Sequence, residues 1–202
     1  MFILMSGPSG SGKTPLMYSV VEVFPNIKKV QSYTTRRERK REVDGTYIYL
    51  TKSQFVQKIK EGFFLEYNRV HKDQEYYGTG LDSYEKLKSE GYVAIKDIDV
   101  DSYKQMRQRD LDIVGIYVTV QNRQVLFDRL RERGESEKTI SIRLYDRVDY
   151  ENSQRDNYDY VIYTDDINKA IDQIIEIVDK ELAKRGIKVK KNKLDRSKVI
   201  MF

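Results

Sequence analysis

Short apolar runs alternate with segments of helical spacing along most of the chain. Runs such as 2–5 and 113–120 are almost wholly apolar, which is typical of strands buried on both faces. In stretches such as 166–183, apolar residues recur every three or four positions, which predicts amphipathic helices. Strands are predicted at 2–5, 29–35, 46–50, 63–67, 92–99, 113–120 and 158–163, and helices at 16–24, 53–61, 83–90, 102–109, 124–133, 135–157 and 166–183. This alternation predicts an α/β fold with a parallel sheet flanked by helices.

The region from about 32 to 82 departs from this alternation. It contains short strands, one short helix and polar loops, with no long helix between consecutive strands. Such a pattern predicts a small, antiparallel lobe with mixed α+β content inserted into the β/α chain.

Composition limits the class of protein. A chain of 202 residues, 39% hydrophobic and 34% charged, suits one soluble domain with an inserted lobe. Its apolar runs are all far shorter than the roughly 18 residues that a membrane span needs. The first predicted strand leaves no room for a signal peptide, so we expect a cytoplasmic protein with no membrane partner.

The residue types exclude several kinds of chemistry. There is no Cys and only one His, His71, which lies in a polar stretch and is interpreted as a surface residue. Disulfides, structural zinc sites and Cys or Ser–His nucleophiles are therefore not expected. Carboxylates, Arg and Lys acting with a metal ion remain, and these are the groups used in phosphoryl transfer.

The net charge of +5 is unevenly distributed. Residues 184–202 carry eight basic residues against Asp195, a charge of +7, and residues 1–183 sum to −2. The basic character therefore belongs to a C-terminal tail. The tail is interpreted as a disordered extension, a polyanion-binding segment or a segment whose apolar end, 199–202, packs on another subunit.

Residues 7–14, Gly-Pro-Ser-Gly-Ser-Gly-Lys-Thr, fit the phosphate-loop pattern G-x-x-x-x-G-K-[ST] between a predicted strand and a predicted helix. Glycines let the backbone wrap a phosphate, and the amide groups and dipole of the helix N-terminus attract it. We expect Lys13 to reach the β- and γ-phosphates and the Thr14 hydroxyl to bind Mg²⁺. Pro15 fits the first helical turn, where no N–H is needed. The predicted ATP-binding residues here are Gly7, Ser9, Gly10, Ser11, Gly12, Lys13, Thr14 and Pro15.

Two carboxylates follow a second apolar strand. Asp97 and Asp99 are separated by Ile98, so they are predicted to share one strand face. A P-loop enzyme needs acidic side chains opposite its phosphates to organise the metal shell. The alternative interpretation is that these residues cap the strand end or pair with Lys96.

Arginine is concentrated in two places. The first group lies beside several tyrosines, and the second flanks Gly134. Arg binds phosphate in a bidentate manner, and arginines of a mobile lid can close over a transferred phosphate. The first group consists of Arg36, Arg37, Arg39 and Arg41, and the second of Arg129, Arg131, Arg133, Arg143 and Arg147. Composition alone does not separate these roles from those of solvated charges.

Together these motifs resemble the guanylate kinase family. The phosphate loop is followed in order by residues 32–36 (Ser-Tyr-Thr-Thr-Arg), 64–66 (Phe-Leu-Glu), 76–79 (Tyr-Tyr-Gly-Thr), 97–99 (Asp-Ile-Asp) and 158–162 (Tyr-Asp-Tyr-Val-Ile). The resemblance extends from about residue 2 to residue 182. It implies transfer of the ATP γ-phosphoryl group to GMP or dGMP with Mg²⁺, catalysed by positioning and charge neutralisation.

The resemblance also implies roles for individual residues. The GMP-binding residues would be Ser32, Arg36, Arg39, Glu42, Tyr47, Glu66, Tyr77, Gly78, Thr79 and Asp97, and Thr164 would lie near the adenine of ATP. The catalytic residues would be Lys13, Arg36, Asp97, Asp99, Arg129, Arg133 and Arg143. Glu66, as an ionised acceptor, suits the N1–H and 2-amino donors of guanine. Compared with the family, the chain is one residue short before Tyr47, so the GMP-binding role given to Tyr47 could fall to Tyr47 or to Tyr49.

The chain departs from the family pattern at several positions. Pro15 follows Thr14, Lys96 stands where an apolar residue is usual, Asp101-Ser102 replaces Gln-Gly, and Thr164 replaces Asn. These changes leave room for a reduced rate or a shifted substrate preference.

The resemblance implies a division of the chain and a set of alternatives. The domain would cover 1–183, with a core of 1–31, 83–128 and 148–183, a GMP-binding lobe at 32–82 and a lid at 129–147, followed by the tail 184–202. We expect a monomer or a homodimer that binds ATP and GMP or dGMP and does not bind nucleic acid. The alternatives are a kinase of the same fold with another monophosphate acceptor, a binding module that has lost catalysis, and a nucleic-acid binder using the tail.

Overall fold

The computed structural model describes residues 1–38, 45–70, 75–145 and 147–199, apart from the side chains of residues 70, 142, 143, 145 and 198. The strands are β1 Phe2–Ser6, β2 Ile27–Lys29, β3 Ser32–Thr34, β4 Tyr47–Tyr49, β5 Phe64–Val70, β6 Glu75–Gly80, β7 Val93–Asp97, β8 Ile113–Thr119 and β9 Tyr160–Tyr163. The helices are α1 Lys13–Val23, α2 Lys52–Lys60, α3 Leu81–Ser89, α4 Val100–Arg107, α5 Gln124–Glu132, α6 Glu137–Tyr145, α7 Val148–Ser153, α8 Ile167–Lys184 and α9 Arg196–Val199. A 3₁₀ turn spans Arg155–Asn157.

A five-stranded parallel sheet in the order β2-β7-β1-β8-β9 forms the centre of the molecule. Every residue of β1 and β8 is buried, because both faces of these strands are covered by helices. The predicted α/β architecture is confirmed. The carboxyl ends of the parallel strands meet at one edge, where α/β proteins place their ligands.

Different helices cover the two faces of this sheet. One apolar cluster joins the sheet to α1 and α8 through residues such as Leu16, Met17 and Ile174. The other joins it to α3 and α4 through residues such as Tyr84 and Tyr103. Among the described helices, none combines the length and apolar character required to cross a membrane.

The inserted lobe is built on a four-stranded sheet in the order β4-β3-β6-β5. Its β3–β6 and β5–β6 pairs are antiparallel, as predicted, whereas β3 and β4 are parallel and depart from the prediction. The predicted strand 29–35 is divided between the two sheets as β2 and β3. The division follows packing: Val30 is buried with the core helices, whereas Tyr33 is buried in the lobe with Phe55 and Phe64.

Side chains of α4 and of the segment that follows it connect the lobe to the core. The Gln105 amide exchanges hydrogen bonds with the backbone of Tyr67, at 3.0 and 3.3 Å, in the manner of an additional strand residue. Arg109 donates to the carbonyl oxygens of Phe64 and Leu65 at 3.1 and 3.2 Å. These bonds fix the β5 edge of the lobe to the core.

Helices α5, α6 and α7 form a third layer around a separate apolar cluster that includes Leu130, Ile140 and Val148. The predicted single helix 135–157 is divided, because the backbone at Arg147 leaves helical geometry with φ −122°. Gly134 joins α5 to α6 at φ +78°, a conformation that favours glycine.

The tail folds back onto the core. Val199 is 1% exposed and belongs to the cluster formed by α1 and α8, and Ile187, Val189 and Leu194 pack against the same cluster. Asn192 donates from its backbone to the carbonyl oxygen of Val23 at 2.9 Å, and from its side chain to that of Glu22 at 3.1 Å. The interpretation of residues 184–199 as a disordered extension was therefore wrong. The alternative role of 199–202 at a subunit interface involves residues 200–202, which lie outside the described residues.

Several basic residues of this tail face acidic residues of the core. Arg185 lies 2.6 Å from Asp112, and Lys191 lies 3.0 Å from Asp179. Arg196 pairs with Asp172 at 2.5 Å. The unequal charges of the tail and the body are thus partly matched within the molecule.

Candidate active site

The loop between β1 and α1 forms a cradle of backbone amides at the carboxyl edge of the sheet. Gly7 adopts φ +140°, and a Cβ atom there would lie 1.9 Å from the carbonyl oxygen of Val118 on β8. Gly12 is the N-cap of α1 at φ +88°, and no side chain caps the helix there. The first amides of α1 are consequently directed toward the loop, which is the arrangement that binds phosphate.

Lys13 is folded back over the loop. Its Nζ donates to the carbonyl oxygens of Gly7 and Pro8 at 2.6 and 2.8 Å. Burial lowers the pKa of Lys13, while the carboxylates of Asp97 and Glu151 act in the opposite direction. A cation held in this way can exchange its carbonyl partners for phosphate oxygens.

Asp97 and Arg133 complete this cradle. A cavity of about 210 Å³ is lined by Ser9, Gly10, Ser11, Gly12, Lys13, Thr14, Asp97 and Arg133. The structure therefore brings together a loop, a carboxylate and an arginine that the sequence places far apart. Pro15, the next residue, is buried in the first turn of α1.

Thr164 supports the phosphate loop through a buried hydrogen bond. Its hydroxyl is fully buried and donates to the carbonyl oxygen of Ser11 at 2.7 Å. Arg129 donates to Thr164 Oγ1 at 3.0 Å, to the Thr164 carbonyl oxygen at 2.6 Å and to the Gly10 carbonyl oxygen at 3.1 Å. Thr164 does not line the phosphate cavity, whereas Arg129 joins the phosphate loop to the β9–α8 connection.

The two carboxylates predicted to share a strand face are placed differently. β7 ends at Asp97, and Asp99 is the N-cap of α4, where its Oδ1 accepts from the backbone amides of Asp101 and Ser102 at 2.9 Å. Asn68 Nδ2 donates to the other oxygen of Asp99 at 2.9 Å. The prediction that both carboxylates belong to the strand was wrong for Asp99, because β7 ends at Asp97 and α4 begins at Val100 with Asp99 as its N-cap.

Glu66 lies in a buried polar cluster between the lobe and α4. It is 4% exposed and accepts a hydrogen bond from Thr79 Oγ1 at 2.5 Å. Burial raises the pKa of Glu66, and Lys96, Ser102 and Thr79 act in the opposite direction. Gly78 lets β6 pack closely, since a Cβ there would lie 3.0 Å from both the Glu66 carbonyl oxygen and the Phe64 ring.

A second cavity, of about 260 Å³, lies where α1, β7 and the lobe meet. It is lined by Met17, Tyr18, Lys29, Val30, Gln31, Ser32, Gly45, Thr46, Tyr47, Ile95, Lys96 and Asp97. Arg36 lies over the ring of Tyr47, with 5.0 Å between its guanidinium carbon and the ring centre. The ring centres of Tyr47 and Tyr77 are 6.2 Å apart. The structure therefore groups three of the residues expected to bind GMP.

Sequence reasoning missed two charged residues near the site, one buried and one partly buried. Lys96 was noted as a departure and as a candidate partner of Asp97 and Asp99, yet its ammonium donates to Ser32 Oγ, and the residue is 5% exposed. Glu151 of α7 lies 3.6 Å from Arg147, and burial raises the pKa of its carboxyl group. The charged sequence around Glu151 indicated a solvated helix, so there was no local signal for its burial.

Some predicted residues are not tested by this geometry. Arg39 and Glu42 lie outside the described residues, as does the side chain of Arg143. Within 1–38, 45–70, 75–145 and 147–199, no group of three or more His, Asp or Glu side chains could hold a metal ion.

Comparison with known proteins gives a consistent result. Residues 1–181 match the family model described as guanylate kinase. The chain is 34% identical over 188 residues to guanylate kinase of Rickettsia bellii, covering 92% of this chain and 97% of the relative. It is 35% identical over 178 residues to guanylate kinase of Helicobacter pylori, covering 87% and 84%. The crystal structure of guanylate kinase from Anaplasma phagocytophilum superimposes with a TM-score of 0.66 and 26% identity, covering 90% of this chain and 85% of that one.

Proposed function

The chain belongs to the guanylate kinase family, and on that premise we propose how its two cavities transfer the γ-phosphoryl group of ATP to GMP, giving ADP and GDP. One observation carries the assignment of the residues: Asp97 lines both the phosphate-loop cavity and the cavity between α1 and the lobe. Two nucleotides bound from opposite sides would bring their phosphates together beside this carboxylate. dGMP is proposed as a second acceptor.

The phosphate-loop cavity is proposed to hold the triphosphate of ATP. The amides of residues 9–14 donate to phosphate oxygens, and Lys13 exchanges its contacts with Gly7 and Pro8 for contacts with the β- and γ-phosphates. Arg133 lines the same cavity and neutralises charge on the transferred group. Arg129 fixes the loop from the adenine side through Gly10 and Thr164.

The lobe is proposed to select and hold GMP. Glu66 accepts from the N1–H and 2-amino groups of guanine, and Thr79 orients the Glu66 carboxylate. Arg36, Tyr47 and Tyr77 bind the GMP phosphate, with the guanidinium of Arg36 stacked on Tyr47. Tyr47 is assigned this role in preference to Tyr49 because it contacts both partners.

The residues present fit a magnesium ion, since the Thr14 hydroxyl and the Asp97 carboxylate are oxygen groups lining the cavity expected to hold the phosphates. Thr14 would hold the ion, partly through water, and Asp97 would order its water shell. A bound Mg²⁺ would neutralise the negative charge that develops on the phosphates. The protein itself then contributes positioning and electrostatic stabilisation, and the mechanism needs no covalent intermediate.

The segment 129–147 is proposed to act as a lid. It carries Arg129 and Arg133, packs around its own apolar cluster, and contains the positive-φ junction at Gly134. Closure over both substrates would exclude water and bring Arg133 and Arg143 to the transferred phosphate. Free and doubly liganded structures that superimpose with no movement of the lid or the lobe would contradict this part of the proposal.

The reaction is tested by a coupled assay of ADP release with ATP and Mg²⁺, offering GMP, dGMP, AMP, CMP and UMP separately. Turnover confined to GMP and dGMP, and lost in Lys13→Ala, is expected. Turnover of AMP at a comparable rate would overturn the roles assigned to Glu66 and Thr79. Absence of turnover with all five acceptors would indicate a binding module that uses the same cleft.

A further inference from the structure

Lys96 lies at an unusual place for a lysine. It is the penultimate residue of β7, in the interior of the parallel sheet, and it is 5% exposed. Transferring an ammonium group out of water is costly unless it is paired and hydrogen-bonded. The burial of Lys96 therefore requires partners, and these partners define what the site can bind.

The groups around Lys96 belong to both the core and the lobe. Its Nζ donates to Ser32 Oγ on β3. The charged groups that act on it are the carboxylates of Glu66 and Asp97 and, with opposite effect, the ammonium of Lys29. A buried cation and the buried carboxylate of Glu66 thus face the same polar region, and Lys96 also lines the cavity proposed for GMP.

The donors and acceptors of this region match the edge of guanine. Guanine presents donors at N1 and the 2-amino group and acceptors at O6 and N7. A carboxylate only accepts hydrogen bonds and an ammonium only donates them, so Glu66 and Lys96 are suited to opposite halves of this edge. Ser32 Oγ accepts from Lys96, so its own hydroxyl hydrogen is directed toward another acceptor.

We propose that Lys96 is a specificity-determining residue that, together with Ser32, forms the donor pair for the 6-oxo group of the GMP base. This inference rests on the proposed function and adds a residue to its acceptor site. Adenine carries an amino group at the same position, and this donor would face the Lys96 ammonium. Lys96 therefore adds discrimination against AMP to that which Glu66 supplies.

The test compares GMP with 6-thio-GMP, which retains the N1–H and 2-amino donors and replaces only the 6-oxygen by the weaker acceptor sulfur. The wild-type enzyme should prefer GMP in kcat/KM by about tenfold to a hundredfold, the range of one charged hydrogen bond. Lys96→Met should lower this ratio severalfold toward one, since only Ser32 would remain as a donor, with the loss for GMP expressed mainly in KM. Lys28→Met is the matched control, because Lys28 is an exposed lysine of the adjacent strand β2 outside the lining of this cavity, and it should leave the ratio unchanged.

Four results separate the interpretations. Equal losses for GMP and 6-thio-GMP in Lys96→Met would show that Lys96 only maintains the site, and this would overturn the proposal. A wild-type ratio near one would overturn it without any variant. Should Lys96→Met not fold, Lys96→Gln keeps a neutral N–H donor and is expected to retain part of the preference. A ratio for Lys96→Gln equal to that of the wild-type enzyme and of Lys28→Met would contradict the proposal. A wild-type enzyme that does not phosphorylate GMP would instead refute the proposed function.

Discussion

The folded-back tail should contribute measurably to stability. Val199 is 1% exposed and is buried with residues of α1 and α8. Val199→Ala removes two methylene equivalents, worth roughly 0.8 kcal/mol each, and leaves a small cavity. The expected loss is about 2 kcal/mol in the free energy of unfolding, and for a chain of this length about 4–8 °C in the melting temperature.

The measurement is urea and thermal unfolding followed by circular dichroism, because the chain contains no tryptophan. Lys190→Ala is the control, since Lys190 is an exposed residue of the same tail and should change the melting temperature by less than about 1 °C. Equal melting temperatures for Val199→Ala and Lys190→Ala would refute the packing of the tail onto α1 and α8. The change in stability should appear with an unchanged slope of unfolding free energy against urea.

Three further outcomes are expected. Lys13→Ala should lower kcat by at least about a hundredfold with an almost unchanged melting temperature, measured by ADP release and thermal unfolding, because the lost cation serves the transition state. Burial raises the pKa of Glu66, and a protonated Glu66 cannot accept hydrogen bonds from both guanine donors. The kcat/KM for GMP should therefore fall as pH decreases through that raised pKa. Glu66→Gln should have a low kcat/KM at every pH and should not show this decrease in acid. Gly115→Ala should destabilise the fold by about 1–3 kcal/mol in urea unfolding, since its Cβ would lie 2.0 Å from the hydroxyl of the buried Tyr103; a stability equal to wild type would contradict this packing.

The parts of the fold that were predictable are those with a strong local pattern. The apolar runs at β1 and β8 identify buried parallel strands, and the glycine-rich loop between β1 and α1 is confirmed as an amide cradle. The grouping of Asp97 and Arg133 with Lys13 was predicted from the motifs of the family. Their spacing along the sequence did not predict it, because only the folded chain brings these distant residues to one cavity.

The parts that were missed depend on long-range packing. Lysine at a strand end is ordinarily expected at the surface, and only the approach of Ser32 and Glu66 from the lobe encloses Lys96. Four apolar residues of the tail pack with the core, namely Ile187, Val189, Leu194 and Val199, but only the first two alternate with charged residues as in a strand, so their burial could not be deduced from the tail alone. Asp99 looked like a strand residue because the turn into α4 has no glycine or proline.

The order of strands in the central sheet has a consequence for biosynthesis. β1 is made first, but it lies between β7 and β8, whose residues are translated roughly 5–20 s later at about 5–20 residues per second. The lobe, in contrast, contains its four strands and its own apolar cluster within residues 32–80. On the ribosome, we therefore expect the lobe to assemble before β1 and the phosphate loop have paired with β7 and β8.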